Sequence, residues 1–406
     1  MLTFAKKQIR KRVLMSRKTG VLFVGLNGGV ASTVIAGLLL AQKGLGLTRG
    51  MLTEEPLFDR LNLISPLQLV FGGWDTRAGN LYESAIANRV IKKERLEPIK
   101  KRLSSIVALK AVITRHDETS SSCGKNIKPD NTLQGHLESL IKDIRRFKKD
   151  NGLDTVVVVY TSSAQKYLSL TKIHRDRAEF QKALRRNNQS AITSGMLYAL
   201  AAIETRSPFV DFTANRTLEV ATLTDLAREK NVPVAGKDGC TGQTLLKTVI
   251  AHLLRTKDLR VIGWYSTNIL GNNDGRVLTL PGHQMCKIED KKSVLKPILG
   301  YNDFPHLVSI NYYPPRNDDK EAWDNIDFLG WMDEPMSIKI NFLAKDSILA
   351  APLVVDLIRL LEHAARNKNG GIQKQLSLFF KYPIGVGERA FFKLNRLFEE
   401  YYTRAL

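Results

Sequence analysis

Cysteine is scarce in this 406-residue chain: Cys123, Cys240 and Cys286 are an odd number at scattered spacings. No disulfide framework or zinc-ligand spacing is visible, so a reducing, cytoplasmic setting is the default expectation. Histidine is equally sparse. Only His283 of the seven lies near the polar loop at 270–275, and no metal site is legible. No apolar run is long and clean enough to span a bilayer. The nearest, 348–361, is interrupted by Asp356 and Arg359. The N-terminus lacks the apolar core and small-residue cleavage site of a secretory signal. Acidic residues are also short, 40 against 61 Lys and Arg, leaving a net charge of +21. Such an excess fits nucleic acid, a membrane surface or an anionic substrate. Its distribution disfavours the first. Lys6, Lys7, Arg10, Lys11, Arg12, Arg17 and Lys18 crowd an acid-free stretch, 1–18, read as a basic arm. Other basic runs, such as Lys92–Lys93 and Arg145–Arg146 with Lys148–Lys149, lie among acids in helix-like segments. The expectation is a basic solvated surface, with no nucleic-acid partner and no membrane insertion.

What is present is a chain long enough for two domains, with 43% hydrophobic residues, as in a globular protein. An apolar strand, 21–24, runs into the glycine-rich turn G-L-N-G-G-V-A-S-T, and an apolar helix follows to about Gln42. This is the first βα unit of a dinucleotide-binding fold, in which glycines admit a pyrophosphate to a helix N-terminus. A tight turn without a ligand would look similar. Glu54 and Glu55 have the spacing of the acid that closes a second strand, but a poor strand context. The run 67–75 is a better strand and ends on Asp75, either a ligand-binding residue or the cap of a helix starting near Gly79. The spacing predicts a polar loop at 120–131 and a buried strand at 155–160. It predicts helices at 175–186, 192–204 and 218–230, and a strand at 209–212. This alternation implies a doubly wound α/β sheet. A further strand ends at Gly236, and a helix starting near Thr241 or Gly242 offers free amides to an anion.

The segment 263–291 is the most informative. A β-like run enters L-G-N-N-D-G, where Asn268, Asn272, Asn273 and Asp274 surround Gly271 and Gly275. That is more hydrogen-bonding capacity than a turn needs, and it suits the hydroxyls of a polyol. Lys287 and Lys291 follow, four apart and so on one helical face, where two like charges repel unless an anion lies between them. Strands are expected at 259–264, 306–312 and 336–341. Lys320 falls in a polar turn between two of them, and Asp346 stands where it would cap a buried helix. Lys381 sits beside Phe379, Phe380, Tyr382 and Pro383, an apolar wall of the kind that lowers a lysine pKa.

The chain resembles the myo-inositol-1-phosphate synthase family over roughly residues 20–390. The family carries a near-identical L-G-N-N-D-G loop, then S/T-x-P and K-x-x-x-K. Its G-L-G-G turn, G-W-D, G-x-D-x-x-S/T-G-Q-T and E-D-S-L-L-A-x-P segments also have counterparts here in the same order. Asn27 replaces a glycine, T-S-S-A-Q only loosely matches the exit of the fourth strand, and N-D-D-K stands for G-D-S-K. The resemblance implies a Rossmann-like NAD domain, 20–244 plus 346–406, behind an arm at 1–19. An α+β catalytic and tetramerisation domain, 245–345, would be inserted in it. It implies that Gly25, Asn27, Gly28, Gly29, Val30, Ala31, Ser32, Thr33, Asp75, Thr161 and Asp274 hold NAD, and leaves room for a cation near its phosphates. It places substrate at Thr241, Gly242, Asn268, Leu270, Asn272 and Asn273. Lys287 and Lys381 would serve the C5 oxygen of glucose 6-phosphate, Lys320 the C1 oxygen or the phosphate, and Lys291 the phosphate. Asp238 and Asp346 would orient lysines. The implied product is an inositol phosphate, and the implied assembly is a homotetramer. A related NAD-dependent sugar-phosphate cyclase or epimerase is the alternative, motivated by the departures at Asn27, Tyr160 and N-D-D-K.

Overall fold

The computed structural model describes residues 17–46, 48–117, 124–129 and 132–404. Residues 1–16 of the basic arm, Cys123 and part of the 120–131 loop lie outside them. The first half of the chain alternates strand and helix. In order come β1 (Thr19–Val24), α1 (Gly29–Gln42), β2 (Val70–Asp75), α2 (Leu81–Asn88), β3 (Leu109–Lys110) and α3 (Leu133–Asp150). Then follow β4 (Thr155–Tyr160), α4 (Ser194–Glu204), β5 (Phe209–Asp211), α5 (Ala221–Glu229) and β6 (Pro233–Gly236). Side chains along these strands alternate between two cores. Val21, Phe23, Val157, Val159 and Val210 enter the core shared with α1. Leu22, Val24, Val156, Val158 and Phe209 enter the one shared with α3, α4 and α5. A strand buried on both faces reads as a continuous apolar run because helices cover both sides of a parallel sheet.

The second half begins with α6 (Gln243–Thr256), β7 (Arg260–Leu270) and α7 (Met285–Lys292). β8 (His306–Tyr312), β9 (Asp319–Leu329) and β10 (Pro335–Lys345) complete a sheet of order β10-β9-β7-β8. Trp264, Ile326 and Phe328 face a third core with Leu254, Leu295 and Leu299. The long α8 (Asp346–Arg366) then returns to the first core. β11 (Gly371–Ile372) completes a seven-stranded parallel sheet of order β3-β2-β1-β4-β5-β6-β11, and α9 (Phe391–Arg404) follows. The order reverses between β1 and β4, which opens a crevice at the carboxyl ends of those strands.

Several expectations shift. The expected strand at 67–75 is shorter because Pro66–Gln68 forms a 3-10 turn. Glu54 does not close a strand but pairs with Arg359 of α8. Asp75 is no cap, since Asn80 caps α2 by accepting from Glu83 N. The helix at 175–186 is two, restarted by Asp176, which accepts from Ala178 N and Glu179 N. β7 continues to Leu270, so Asn268 belongs to a strand rather than to the loop. Lys320 is likewise the second residue of β9 rather than part of a turn. Asp346 is the first residue of α8 and makes no capping bond, because its carboxylate is engaged elsewhere.

Candidate active site

The crevice contains a cavity of about 400 Å³. Its first wall is the turn after β1. Gly25 has φ +93°, and a Cβ there would lie 2.9 Å from Ser162 Cα, so only glycine fits this close crossing. No side chain caps α1 at Gly28, and Gly28, Gly29 and Val30 line the cavity. Uncapped first-turn amides facing a cavity are an anion site. Asn27 does not line the cavity, nor do Ala31, Ser32 and Thr33, which pack behind it in the first turn. Asn27 is also not in the left-handed region. Its N–H donates to Asp75 Oδ2 at 2.8 Å and its Nδ2 to the Arg77 carbonyl at 2.8 Å, which braces the turn against the end of β2. Asp75 lines the cavity, and its other oxygen accepts from Arg77 N at 2.8 Å. Thr161, at the end of β4, completes this side. Glycines admitting close approach and free amides at the switch point together fit a dinucleotide.

The opposite wall carries the charged groups. The segment after β6 and the segment around Lys381 pair as short antiparallel chains, with Lys381 N donating to Asp238 O at 2.7 Å and Lys237 N to Tyr382 O at 3.0 Å. This pairing puts the Lys381 ammonium 2.7 Å from Asp238 Oδ1, both groups buried. Burial works to lower the Lys381 pKa, but the Asp238 carboxylate overrides it and the net direction is up. The apolar wall therefore does not give the lowered pKa read from the sequence. Burial also pushes Asp238 up, yet Lys381 and Lys287 outweigh it and bring it down.

Lys287 and Lys291 project from α7 as the spacing predicts. Lys287 Nζ binds Asp274, and that carboxylate with Asp238 raises the lysine against its burial. Asp274 is presented not by a loop, as the sequence suggests, but by a short helix, Asn273–Val277, because the Asn272 side chain caps its start. Gly271 packs so closely on the 313–317 turn that a Cβ would come within 2.3 Å of Asn317 N. Asn272 Oδ1 accepts from Gly275 N at 3.1 Å, and its Nδ2 donates to Asp318 Oδ1 at 3.2 Å. Asn272, Asn273 and Asp274 line the cavity, whereas Leu270 is buried beneath it.

The β9–β10 pairing sets Lys320 opposite Ala344, so its ammonium reaches Asp346 Oδ1 at 3.1 Å. Asp346 Oδ1 also accepts from Thr241 Oγ1 at 2.8 Å. Burial opposes ionisation of Asp346, but Lys320, Lys287 and Lys381 hold it well below the usual carboxylate range. Thr241 and Asp346 line the cavity, while Gly242 is the N-cap residue of α6 and has no side chain to satisfy the amides there. Lys320, Lys291 and Asn268 sit behind this wall and do not line the cavity. Asn268 is fully buried and donates to Gln243 Oε1.

Asp318 and Arg77 are among the cavity residues that sequence reasoning missed. Asp318 lines the cavity and accepts from Ser347 N at 3.0 Å and Ser347 Oγ at 2.8 Å, and burial raises its pKa. Its signal is the acid two residues before Lys320 in N-D-D-K. Arg77 lines the cofactor side, and nothing in its local pattern marked it out.

The arrangement is an anion site at α1 facing a cluster of paired lysines, and comparisons with known proteins place the chain in a family. The profile of an NAD-binding family described as myo-inositol-1-phosphate synthase matches residues 19–401. Inositol-3-phosphate synthase 1 of Bacteroides thetaiotaomicron is 42% identical over 385 residues, 90% of each chain. The crystal structure of inositol-3-phosphate synthase from Caenorhabditis elegans superposes with a TM-score of 0.88 at 26% identity, covering 95% of this chain and 85% of that one. A myo-inositol-1-phosphate synthase-related protein from Thermotoga maritima shares the fold, with a TM-score of 0.75 at 22% identity over 94% and 98% of the two chains. The chain belongs to the myo-inositol-1-phosphate synthase family.

Proposed function

We propose that this chain cyclises D-glucose 6-phosphate to 1D-myo-inositol 3-phosphate with no net redox change. The observation that carries this reading is the cluster of ammonium groups, each held by a carboxylate, with Lys287 and Lys381 on the wall of a dinucleotide crevice and Lys320 just behind it. The turn at Gly25–Val30 with Asp75 and Thr161 would hold NAD, which would supply a reversible hydride acceptor for C5. A ketone at C5 acidifies C6, and the resulting enolate attacks the C1 aldehyde. Negative charge therefore develops on the C5 oxygen and then on the C1 oxygen. Lys381 and Lys287 carry the first, and Lys320 carries the second. Fixed ammonium groups in a water-poor site stabilise such charge without reorganising. Asp238, Asp274 and Asp346 keep these lysines aimed. The substrate phosphate lies against Thr241 and the uncapped start of α6, with Lys291 behind. Asn272 and Asn273 take sugar hydroxyls, and the substrate or cofactor phosphates are also where a cation would bind.

The two sheets support the division into a dinucleotide domain, 20–244 plus 346–406, and an inserted domain, 245–345, although α6 crosses the first boundary. One face of the inserted sheet supports homo-oligomerisation, with a tetramer as our expectation. By strand register Tyr265, Leu307, Trp323 and Leu343 share that face, and all are about half exposed. Among the described residues no helix is long and apolar enough to cross a membrane. The described cysteines are both free, which fits a cytoplasmic setting. The reading is tested by incubating the purified chain with glucose 6-phosphate and NAD and following the product by NMR. Inositol phosphate is the expected product, and a ketose or aldose phosphate alone would overturn it.

A further inference from the structure

Three of the four site lysines end on a carboxylate: Lys287 on Asp274, Lys320 on Asp346 and Lys381 on Asp238. Lys291 does not. It is only 3% exposed, yet its Nζ donates to a carboxamide oxygen, Gln243 Oε1, at 3.3 Å. The orientation of that carboxamide is forced. Gln243 Nε2 faces three acceptors, Asp324 Oδ2 at 2.8 Å, Trp323 O at 3.2 Å and Thr267 O at 3.4 Å. An oxygen in that place would meet only oxygens, so Oε1 must face Lys291 and the Asn268 Nδ2 that also donates to it. Asp324 is itself fixed. Its Oδ1 accepts from Trp264 Nε1 at 2.7 Å and from Ser266 Oγ at 2.5 Å, and the residue is 5% exposed.

We propose that Asp324, acting through Gln243, is a positioning residue that holds Lys291 on an uncharged partner, leaving its charge for the substrate phosphate. The inference rests on Lys291 being a phosphate ligand. A carboxylate in place of Gln243 would cancel the lysine charge before substrate arrived. A carboxamide satisfies one N–H and leaves the charge unspent. Burial, and then Lys320, Lys381, Lys287 and Lys247, push the Lys291 ammonium well below the usual lysine range. That is the direction expected of a buried cation still lacking its anion.

Asp324→Asn tests the role. An asparagine offers one oxygen to three donors. With that oxygen kept by Trp264 and Ser266, its amide group confronts Gln243 Nε2, and the Gln243 amide must turn over and present N–H groups to Lys291. In the NAD-loaded protein, the dissociation constant for inorganic phosphate should rise about tenfold. The KM for glucose 6-phosphate should rise in step, with a smaller fall in kcat. In a Lys291→Met background, Asp324→Asn should add no further loss of phosphate affinity. If Asp324→Asn does not fold, Gln243→Met removes the acceptor at similar volume and carries the same expectation. Additive losses in the double variant would overturn the proposal and leave Asp324 a merely structural residue. If Lys291→Met weakens phosphate binding but Asp324→Asn does not, the positioning role alone falls. If Lys291→Met leaves phosphate affinity unchanged, the phosphate assignment falls and takes this role with it.

Discussion

Lys381→Met separates chemistry from binding. Methionine keeps most of the side-chain volume and removes the ammonium that sits 2.7 Å from Asp238. If Lys381 stabilises charge on the C5 oxygen, one oxyanion donor is lost, which typically costs ~100- to 1000-fold in kcat, or about 3–4 kcal/mol. Substrate affinity should change little, because the interaction is strongest in the transition state. The protein should also lose stability. Removing one partner of a buried ion pair costs roughly 3–5 kcal/mol when the other charge is left uncompensated. Here Asp238 keeps Lys287 and Lys237 nearby, so the low end of that range is expected. The sign of the pH dependence follows from the pair. Asp238 is brought below its ordinary 3.8, so its contribution is present above that pH and is lost as pH falls through the depressed value. Lys381 is raised above its ordinary 10.5, so its contribution is present below that pH and is lost as pH rises through the raised value. The stability difference between wild type and Lys381→Met should therefore be flat across neutral pH. Steady-state kinetics with glucose 6-phosphate, alongside thermal denaturation, read both effects. A variant that is folded and within tenfold of wild-type kcat would refute the oxyanion role.

Other expectations follow from the same geometry. Gly28→Leu places a side chain at the start of α1, where even a Cβ lies 3.0 Å from Gly25 O, and should abolish NAD binding in calorimetry. Lys291→Ala should raise the KM for glucose 6-phosphate at least as much as it lowers kcat, which initial-rate kinetics will show. Lys247 is buried, donates to His306 Nε2 at 3.0 Å, and burial lowers its pKa from 10.5 to about 8. Between those values the unfolded chain binds more protons, so stability from this group rises with pH. Replacing it by Met should thus raise Tm more at pH 7 than at pH 10, with an upper limit of about 3 kcal/mol at neutral pH.

The first sheet was legible because its strands are short apolar runs buried on both faces, and 155–160 coincides with β4. The second sheet was less so. β7 has exposed residues such as Ile262 and Tyr265, and the strand expected at 259–264 stops short of the polar Ser266, Thr267 and Asn268, although ladder bonds carry it to Leu270. The polar cluster and the lysine spacing were visible as local patterns, but the cluster folds as the capped start of a short helix, Asn273–Val277, rather than as a loop. What the sequence could not show were partners brought together over long separations. Asp238 and Lys381 are 143 residues apart, and Thr241 and Asp346 are 105 apart. Lys291 was singled out by its spacing with Lys287, but only the hydrogen bond from its Nζ to Gln243, 48 residues away, reveals that its partner is a carboxamide. Asp324 gave no signal, because by sequence it falls with Asp318, Asp319 and Glu321 in the polar stretch around Lys320 rather than in a strand.

The central claim is that a hydride leaves C5 and returns to C5 within one binding event. Glucose 6-phosphate carrying deuterium at C5, incubated with the protein and unlabelled NAD, tests it directly by NMR of the product. The account predicts inositol phosphate with the deuterium retained on the carbon that was C5, and no NADH accumulating. NADH formed in proportion to product, or deuterium absent from that carbon, would contradict it.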